Sequence, residues 1–461
     1  MDLEKRAKLQ SLRVIISETI MVIAVIITVV VLALVVSGYW LNSDFEVERQ
    51  GMLQIYSIPT GASVAVDGDA PWFQRTNTSK VLSSGEHTIT LTKDGYDSWS
   101  KTVSISEGLL YRLHYPQLFL QNRKEEVIYD ATATTFATVS PNRKLILLAN
   151  RTTNWILLNL DADNPRPTTI DVSKVFSAVS MASGASSGLF TGEILSAEWD
   201  QANEHILFNI GADSGSEWVL LNVKQPADSI NLTREFASNF SSIKIFDNSA
   251  NNLLAVRNGN LHKINVGSRQ ISAVLIEKIG NYDFYESEII YISDGQIILT
   301  KLNDESPSIL GEASSDSARI LLGKFYDNNY IFVVGDETLS VYQKENFSEV
   351  FTTKLEFAPE QVKIGYHGMF VSLNSGNRFA TLDMESMTMR NWNTDSAYFG
   401  WLSSYMLYSV NDGKLCVYDF DGLNRRELAT NVSGRFPAAI TNNKWLYYFS
   451  DDAIIREKIS D

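Results

Sequence analysis

The sequence predicts a mainly β chain behind a single N-terminal membrane helix, and three observations predict it. One is a run of 25 uncharged positions, residues 19–43. Another is a set of short period-two segments, punctuated by turn dipeptides, between residues 51 and 115. The third is a short apolar strand that recurs eight times from Leu145 onward. Composition narrows the function classes. The 461 residues carry a net charge of −15, which repels phosphate backbones and argues against a nucleic-acid partner. Lone Cys416 rules out an intramolecular disulfide framework and any multi-cysteine metal site.

The helix comes first. Residues 20–36 are Ile, Val, Leu, Met and Ala interrupted only by Thr28, and roughly 20 apolar residues cross a bilayer's hydrocarbon core. Tyr39 and Trp40 follow, suited to an interfacial aromatic belt. Lys5, Arg6, Lys8 and Arg13 precede the run, whereas Asp44, Glu46 and Glu48 follow it. The positive-inside rule places residues 1–15 in the cytoplasm as a tail, a transmembrane helix over 16–41 in the lipid bilayer, and the bulk of the chain outside. The alternative is a cleaved signal peptide; the run exceeds the roughly 7–15 residues of such an apolar region, and no A-x-A site follows it. Residues 1–40 carry four positive and three negative side chains, so the remainder carries −16.

Residues 42–50 read as a polar linker and 51–115 as a small β domain. Leu53-Gln54-Ile55-Tyr56, Ser63-Val64-Ala65-Val66, His87-Thr88-Ile89-Thr90-Leu91 and Thr102-Val103-Ser104-Ile105 alternate as strands do. Pro59-Thr60-Gly61, Asp67-Gly68, Ser84-Gly85 and Asp94-Gly95 are turn signals, and Asp-Gly between alternating segments is a strong hairpin signal. The order Ser57-Ile58-Pro59-Thr60-Gly61-Ala62-Ser63, Val66-Asp67-Gly68, Gly85-Glu86-His87 and Gly95-Tyr96 resembles the PEGA domain. Two departures stand out: Thr76-Asn77 in place of a Thr-Pro, and a small insertion at Ala70-Pro71-Trp72-Phe73. The resemblance implies a small β-sandwich of bacterial and archaeal surface proteins without catalytic role.

From 116 to 461 the recurring strands begin at Leu145, Ile206, Leu253, Ile289, Ile331, Met369, Met406 and Trp445, spaced by 61, 47, 36, 42, 38, 37 and 39 residues. Each is followed by a turn and another strand, as in Trp155-Ile156-Leu157-Leu158 and Trp218-Val219-Leu220-Leu221. A period near 40 with four short strands per unit predicts a β-propeller, because sheets that small bury their faces only against neighbours in a closed ring. Eight blades are expected, with seven as the alternative. The last unit has room for three strands, so Glu126-Val127-Ile128-Tyr129 is expected to supply its outer strand and fasten the ring. Ser140-Pro141-Asn142-Arg143 and Tyr418-Asp419-Phe420-Asp421-Gly422-Leu423-Asn424 resemble the hairpin turns of TolB-like propeller repeats. WD40 repeats fit less well, since their Gly-His and Trp-Asp dipeptides are missing.

The search for chemistry yields no catalytic, cofactor-binding or metal site. Gly184-Ala185-Ser186-Ser187-Gly188 matches G-x-S-x-G but lies in a Ser/Gly/Ala-rich stretch, 177–192, without the strand and helix a nucleophile elbow needs. His87, His114, His205, His262 and His367 are scattered singly; His87 reads as a strand-edge residue and His262 as a satisfied sheet histidine. Asp451-Asp452 and Asp419-Phe420-Asp421-Gly422 read as turns, and Cys416 as a buried strand residue. Trp72, Phe73 and Trp99 read as core or cover, with a sugar-stacking surface as the alternative. The expectation is a membrane-anchored extracytoplasmic binding or scaffold protein of the bacterial envelope, its partner an envelope protein or a cell-wall polymer (carbohydrate binding included). The alternative is an envelope polysaccharide hydrolase or lyase acting at the propeller channel mouth.

Overall fold

The computed structural model describes residues 3–36, 39–41, 47–71, 73–177, 180–181, 189–212, 215–302, 307–313, 315, 317–365, 368–394, 396 and 398–461, with side chains described outside 1–15 and 34–49. It divides into two compact units, residues 1–121 and 122–461.

The N-terminal helix runs Leu3–Val36. Within it, Ile16–Ala33 has mean hydropathy 2.6 and no part buried by protein. Ile20, Met21 and Val29 are more than half exposed, and an apolar helix of this length is compatible with a membrane span or a signal anchor. Thr28 Oγ1 donates to the Ala24 carbonyl at 2.8 Å, so this hydroxyl is satisfied inside the helix. The helix stops short of the expected end at 41. Tyr39–Leu41 instead pairs antiparallel with Val47–Arg49, which also places a strand in the expected linker. β-branched and aromatic residues at both positions favour such a ribbon.

Two three-stranded sheets build the rest of the first unit. One pairs Gly51–Ile55 with Thr78–Leu82 antiparallel and with Leu110–Leu113 parallel. The other joins Ser63–Val66, Gly85–Thr92 and Trp99–Ile105. Burial alternates along them, most cleanly in Trp99–Ile105. Each sheet thus presents one face to a core of Leu53, Ile55, Val64, Ile89, Leu91, Trp99 and Val103. Asp67 and Gly68 both take positive φ, 53° and 85°, and Val66 bridges Asp69, as a type I′ hairpin requires. Gly51 has no room for a side chain: a Cβ there would stand 2.4 Å from Ile105 Cγ2. Residues 116–121, expected in the second unit, belong here, because Gln117 bridges Ile58, Leu120 bridges Tyr96, and Leu118 and Phe119 are buried.

Among the described residues the second unit holds eight four-stranded antiparallel sheets. Seven are built from consecutive strands, over 134–171, 193–231, 242–271, 282–312, 319–354, 361–393 and 398–429. The eighth takes Ala439–Thr441, Trp445–Ser450 and Ala453–Lys458, and its fourth strand is Glu125–Asp130 from the start of the unit. The recurring apolar segments are the second strands and their followers the third. The second strands are buried on both faces, as in Leu145–Asn150 and Phe370–Ser375, and so are some third strands, such as Arg378–Asp383. Each sheet packs on the next. Trp155 lies edge-on to Phe208 at 5.6 Å, and buried clusters that span neighbouring sheets hold Leu207 with Leu253, Leu254 with Ile289, Ile290 with Ile331, and Phe332 with Val371. Phe370 then stacks on Phe420 at 4.7 Å, and Ser433 N donates to the Phe449 carbonyl at 2.8 Å. The eighth sheet returns to the first through Tyr447 and Phe449 against Ile146 and Leu148. Sheets packed in a closed cycle form a β-propeller. Each fully buried Leu, Ile or Phe contributes roughly 1.5–3 kcal/mol, so these seams carry most of the stability.

Candidate functional site

Sheet order puts the first strand of each sheet at one edge and the fourth at the other. The fourth strands are largely exposed, as in Pro167–Asp171 and Ser348–Lys354, and form the rim. The first strands line the bore. A cavity of about 450 Å3 is lined by Lys244, Tyr282, Asp283, Arg319, Leu321, Glu360 and Lys363, from four successive first strands and their approaches. A second, of about 280 Å3, is lined by Thr138, Ser140, Arg143, Lys363, Trp401 and Ala439, among others. Lys363 belongs to both.

An inner strand has a free edge of N–H and C=O groups, and such edges must be covered or paired. Here polar side chains of neighbouring sheets do it. Lys244 Nζ donates to the Tyr282 carbonyl at 3.1 Å, and Asp283 Oδ2 accepts from Leu322 N at 3.0 Å. The Glu198 carboxylate accepts from Ile245 N. Across the closure, Thr441 Oγ1 donates to the Arg143 carbonyl at 2.6 Å. Enclosure by the surrounding sheets pushes the Glu198 carboxyl up to about 7, with the Ile245 hydrogen bond and Lys244 pulling against it. It raises Asp283 in the same way against Lys244 and two backbone donors. Glu198 and Lys363 both reach the solvent of the bore, yet protein surrounds them on most sides. Lys363 is drawn down to about 8, by burial first and by the Arg143 charge second.

A polysaccharide-cleaving site needs paired carboxylates, and among the described residues Asp283 and Glu360 line one cavity. Asp283 is engaged with Leu322 N, and Glu360 accepts from Ser375 Oγ at 2.9 Å. Both are therefore held by structural hydrogen bonds.

In the first unit, the Asp67-Gly68 turn and the Gly85-Glu86-His87 strand are tied together. His87 Nδ1 lies 2.7 Å from Asp67 Oδ2 and its Nε2 lies 2.9 Å from the Ser83 carbonyl. Asp67 Oδ1 accepts from Thr88 N at 2.8 Å. Buried Thr76 Oγ1 accepts from Ala62 N at 3.0 Å and from Ser57 Oγ at 2.7 Å, which anchors the Pro59-Thr60-Gly61-Ala62 turn. Asn77, at φ 65°, takes the left-handed conformation there without a proline. The profile of the PEGA domain matches residues 50–117. This segment is a PEGA domain.

No curated protein matches the chain in sequence. Several solved structures resemble it. The Hsv2p structure from Kluyveromyces lactis is 9% identical over 62% of this chain and 92% of its own, with a TM-score of 0.40. Hsv2 from Kluyvelomyces marxianus is 10% identical over 62% and 92%, TM-score 0.41. PorZ, a bacterial surface component of the type-IX secretion system of Porphyromonas gingivalis, is 12% identical over 70% of this chain and 42% of its own, TM-score 0.41. At these scores the propeller assignment rests on the sheet topology.

The PEGA domain's Trp99 is a core residue, 1% exposed, while Phe73 is 67% exposed; Trp72 lies outside the described residues, as do His367 and Gly184-Ala185-Ser186-Ser187-Gly188. Trp99 and Phe73 therefore share no sugar-stacking face. His262 Nδ1 meets the Ser272 carbonyl at 3.0 Å and His205 Nδ1 meets Asp200 at 2.9 Å, each a local tie. Asp419 is knit into its own turn by Asn424 Nδ2 at 2.8 Å, and Cys416 is buried on its strand. Among the described residues no cluster of His, Cys, Asp or Glu has metal-site geometry. The bore set of Lys244, Asp283, Lys363, Arg143 and Trp401 was not singled out from sequence. A polar residue recurs six to nine residues ahead of the apolar second strands, at Thr138, Glu198, Lys244, Asp283 and Lys363, and that offset is the signal that could have found most of it.

Proposed function

We propose that the chain is a membrane-anchored binding scaffold of the cell envelope. The apolar helix holds it in the bilayer with its N-terminus in the cytoplasm, and the PEGA domain and propeller face outward. The ligand, an envelope protein or a cell-wall polymer, binds at the propeller bore. The single observation behind the binding role is a bore that opens into cavities of about 450 and 280 Å3, walled by charged and aromatic side chains. Sites of this kind concentrate convergent polar groups in a concave surface. The location draws on the PEGA match, on the all-round apolar helix, and on the Lys and Arg residues ahead of it. Acidic charge on the outer part keeps it off an anionic membrane surface.

A photo-crosslinking amino acid placed in the full chain, in cells, tests this. At Leu321, in the bore, it is expected to capture an envelope component; at Val350, on the rim, it is expected to capture none. Capture of cytosolic proteins would reverse the orientation. Crosslinks confined to Val350 would move the binding surface out of the bore.

A further inference from the structure

The edge-covering hydrogen bonds account for Glu198, Lys244 and Asp283, and leave three bore cations without such a role: Arg319, which shares the larger cavity with Asp283 and Glu360, and Lys363 and Arg143. Lys363 has no hydrogen-bond acceptor and no carboxylate partner among the described residues. Its ammonium lies 5.3 Å from the centre of the Trp401 ring. That ring is also stacked on Phe370, at 5.1 Å and 18°. Arg143 sits in the turn between the first and second strands of its sheet, at φ 57°. A non-glycine residue there costs roughly 1–2 kcal/mol, a conformation that glycine adopts freely. Its guanidinium donates to Ser404 Oγ at 3.3 Å and reaches the Pro141 carbonyl at 3.5 Å, which uses few of its five N–H donors. Arg143 likewise has no ion-pair partner among the described residues.

Lys363 and Arg143 both line the cavity of about 280 Å3, and none of its lining residues is acidic. The acidic groups, Asp283 and Glu360, lie on the adjoining cavity with Lys244, Arg319 and Tyr282. Two like charges lining one cavity repel, and an anion between them would relieve that repulsion while filling open donors.

We infer that the cavity between Arg143, Lys363 and Trp401 binds an oxyanion, the carboxylate or phosphate ester of a small ligand or of a polymer's terminal unit. A volume near the lower end of small-molecule sites suits a group of about one sugar or amino-acid residue. Arg143 supplies a planar fork for the oxygens and Lys363 a point charge. Trp401 contacts both the lysine ammonium and the Phe370 ring, and so helps to hold the lysine in place. This inference rests on the reading of the bore as the binding surface.

The test is calorimetric titration of the full chain in detergent micelles with glycerol 3-phosphate, glucuronate and neutral glucose. One or both anions are expected to bind at a single site and glucose not at all; which anion binds distinguishes phosphate from carboxylate. Lys363→Met and Arg143→Met are each expected to weaken binding at least tenfold. Lys354→Met, on the exposed rim strand Ser348–Lys354, is expected to change it less than twofold. With the Lys363 ammonium titrating at about 8, affinity of the wild type should fall about tenfold between pH 7 and pH 9. Lys363→Arg should bind and lose that pH dependence, which a purely structural role for Lys363 would not produce. Binding that ignores Lys363→Met, or no anion binding at all, overturns the site. If Leu321 crosslinks persist in that case, the oxyanion assignment alone falls; if they are also lost, the bore reading falls with it.

Discussion

His87 and Asp67 show how two signature positions of the PEGA domain work as one unit. Burial pulls the imidazole's pKa down, but the hydrogen bonds to Asp67 and to the Ser83 carbonyl outweigh it, so it stands above its ordinary 6.5. Asp67 is held below 3.8 by His87 and by Thr88 N. A raised histidine contributes stability that is complete below 6.5 and lost as pH rises through the higher folded value. A depressed aspartate contributes stability that is complete above 3.8 and lost as pH falls through the lower one. The pair is therefore strongest between about pH 4 and 6.5, and hydrogen exchange at the Thr88 amide reads it directly. Protection is expected to peak in that window and drop toward pH 8, with His87→Gln flattening the profile. A wild-type profile already flat from pH 5 to 8 would show that the pair adds nothing. From sequence alone, Asp67-Gly68 was legible as a hairpin and His87 as a residue at a strand edge near a turn. Their partnership was not, because it depends on the register that sets Val66 opposite Ile89.

At the scale of the strand, legibility followed burial. Second and third strands such as Ile206-Leu207-Phe208 and Trp218-Val219-Leu220-Leu221 are covered on both faces by neighbouring sheets, so they read as continuous apolar runs. Fourth strands such as Thr388–Asn393 are exposed and carry no such pattern. First strands look polar for a different reason, since they face a solvated bore and spend side chains on the next sheet's backbone. Arg143 and Lys363 stand 220 positions apart and meet only when the ring closes, so no local motif marks them. The edge-covering role of Asp283 is testable. Asp283→Ala leaves Leu322 N without its acceptor in an enclosed site and should cost about 1–3 kcal/mol in urea unfolding at pH 7. Asp283→Asn keeps a carbonyl acceptor and sheds a carboxyl whose raised pKa makes ionisation unfavourable, so it should cost less than about 1 kcal/mol. Equal loss in both variants would mean that the charge, and not the acceptor, is what the inner edge uses.

At the scale of the whole propeller, stability depends on joining the two ends of the unit in one sheet. Glu125–Asp130 pairs with Ala453–Lys458, and side chains reinforce the join from both directions. Arg456 Nη2 meets Glu126 at 2.6 Å and its guanidinium lies over Trp445, 4.3 Å from the ring centre. Arg123 Nε meets Glu457 at 3.1 Å, and Arg123 also donates to the Leu428 carbonyl at 2.7 Å. Tyr448 OH donates to Glu457 at 2.5 Å. Glu457 is 3% exposed and Arg456 5% exposed. A fragment starting at residue 135 lacks Arg123, Glu126 and the whole outer strand. It bares the edge of Ala453–Lys458 and leaves Arg456 and Glu457 without their ion-pair partners, and loss of the buried Arg123–Glu457 pair alone costs roughly 3–5 kcal/mol. A fragment starting at residue 122, where the second unit begins, keeps every one of these contacts. The longer fragment is therefore expected to unfold cooperatively and remain monomeric. The shorter one should melt at least about 5 °C lower and associate through the open edge. Calorimetry and sedimentation on the two fragments decide it: equal melting temperatures with both monomeric would mean that the ring is held shut by the sheet-to-sheet seams alone, and that the strand exchange between its ends is dispensable.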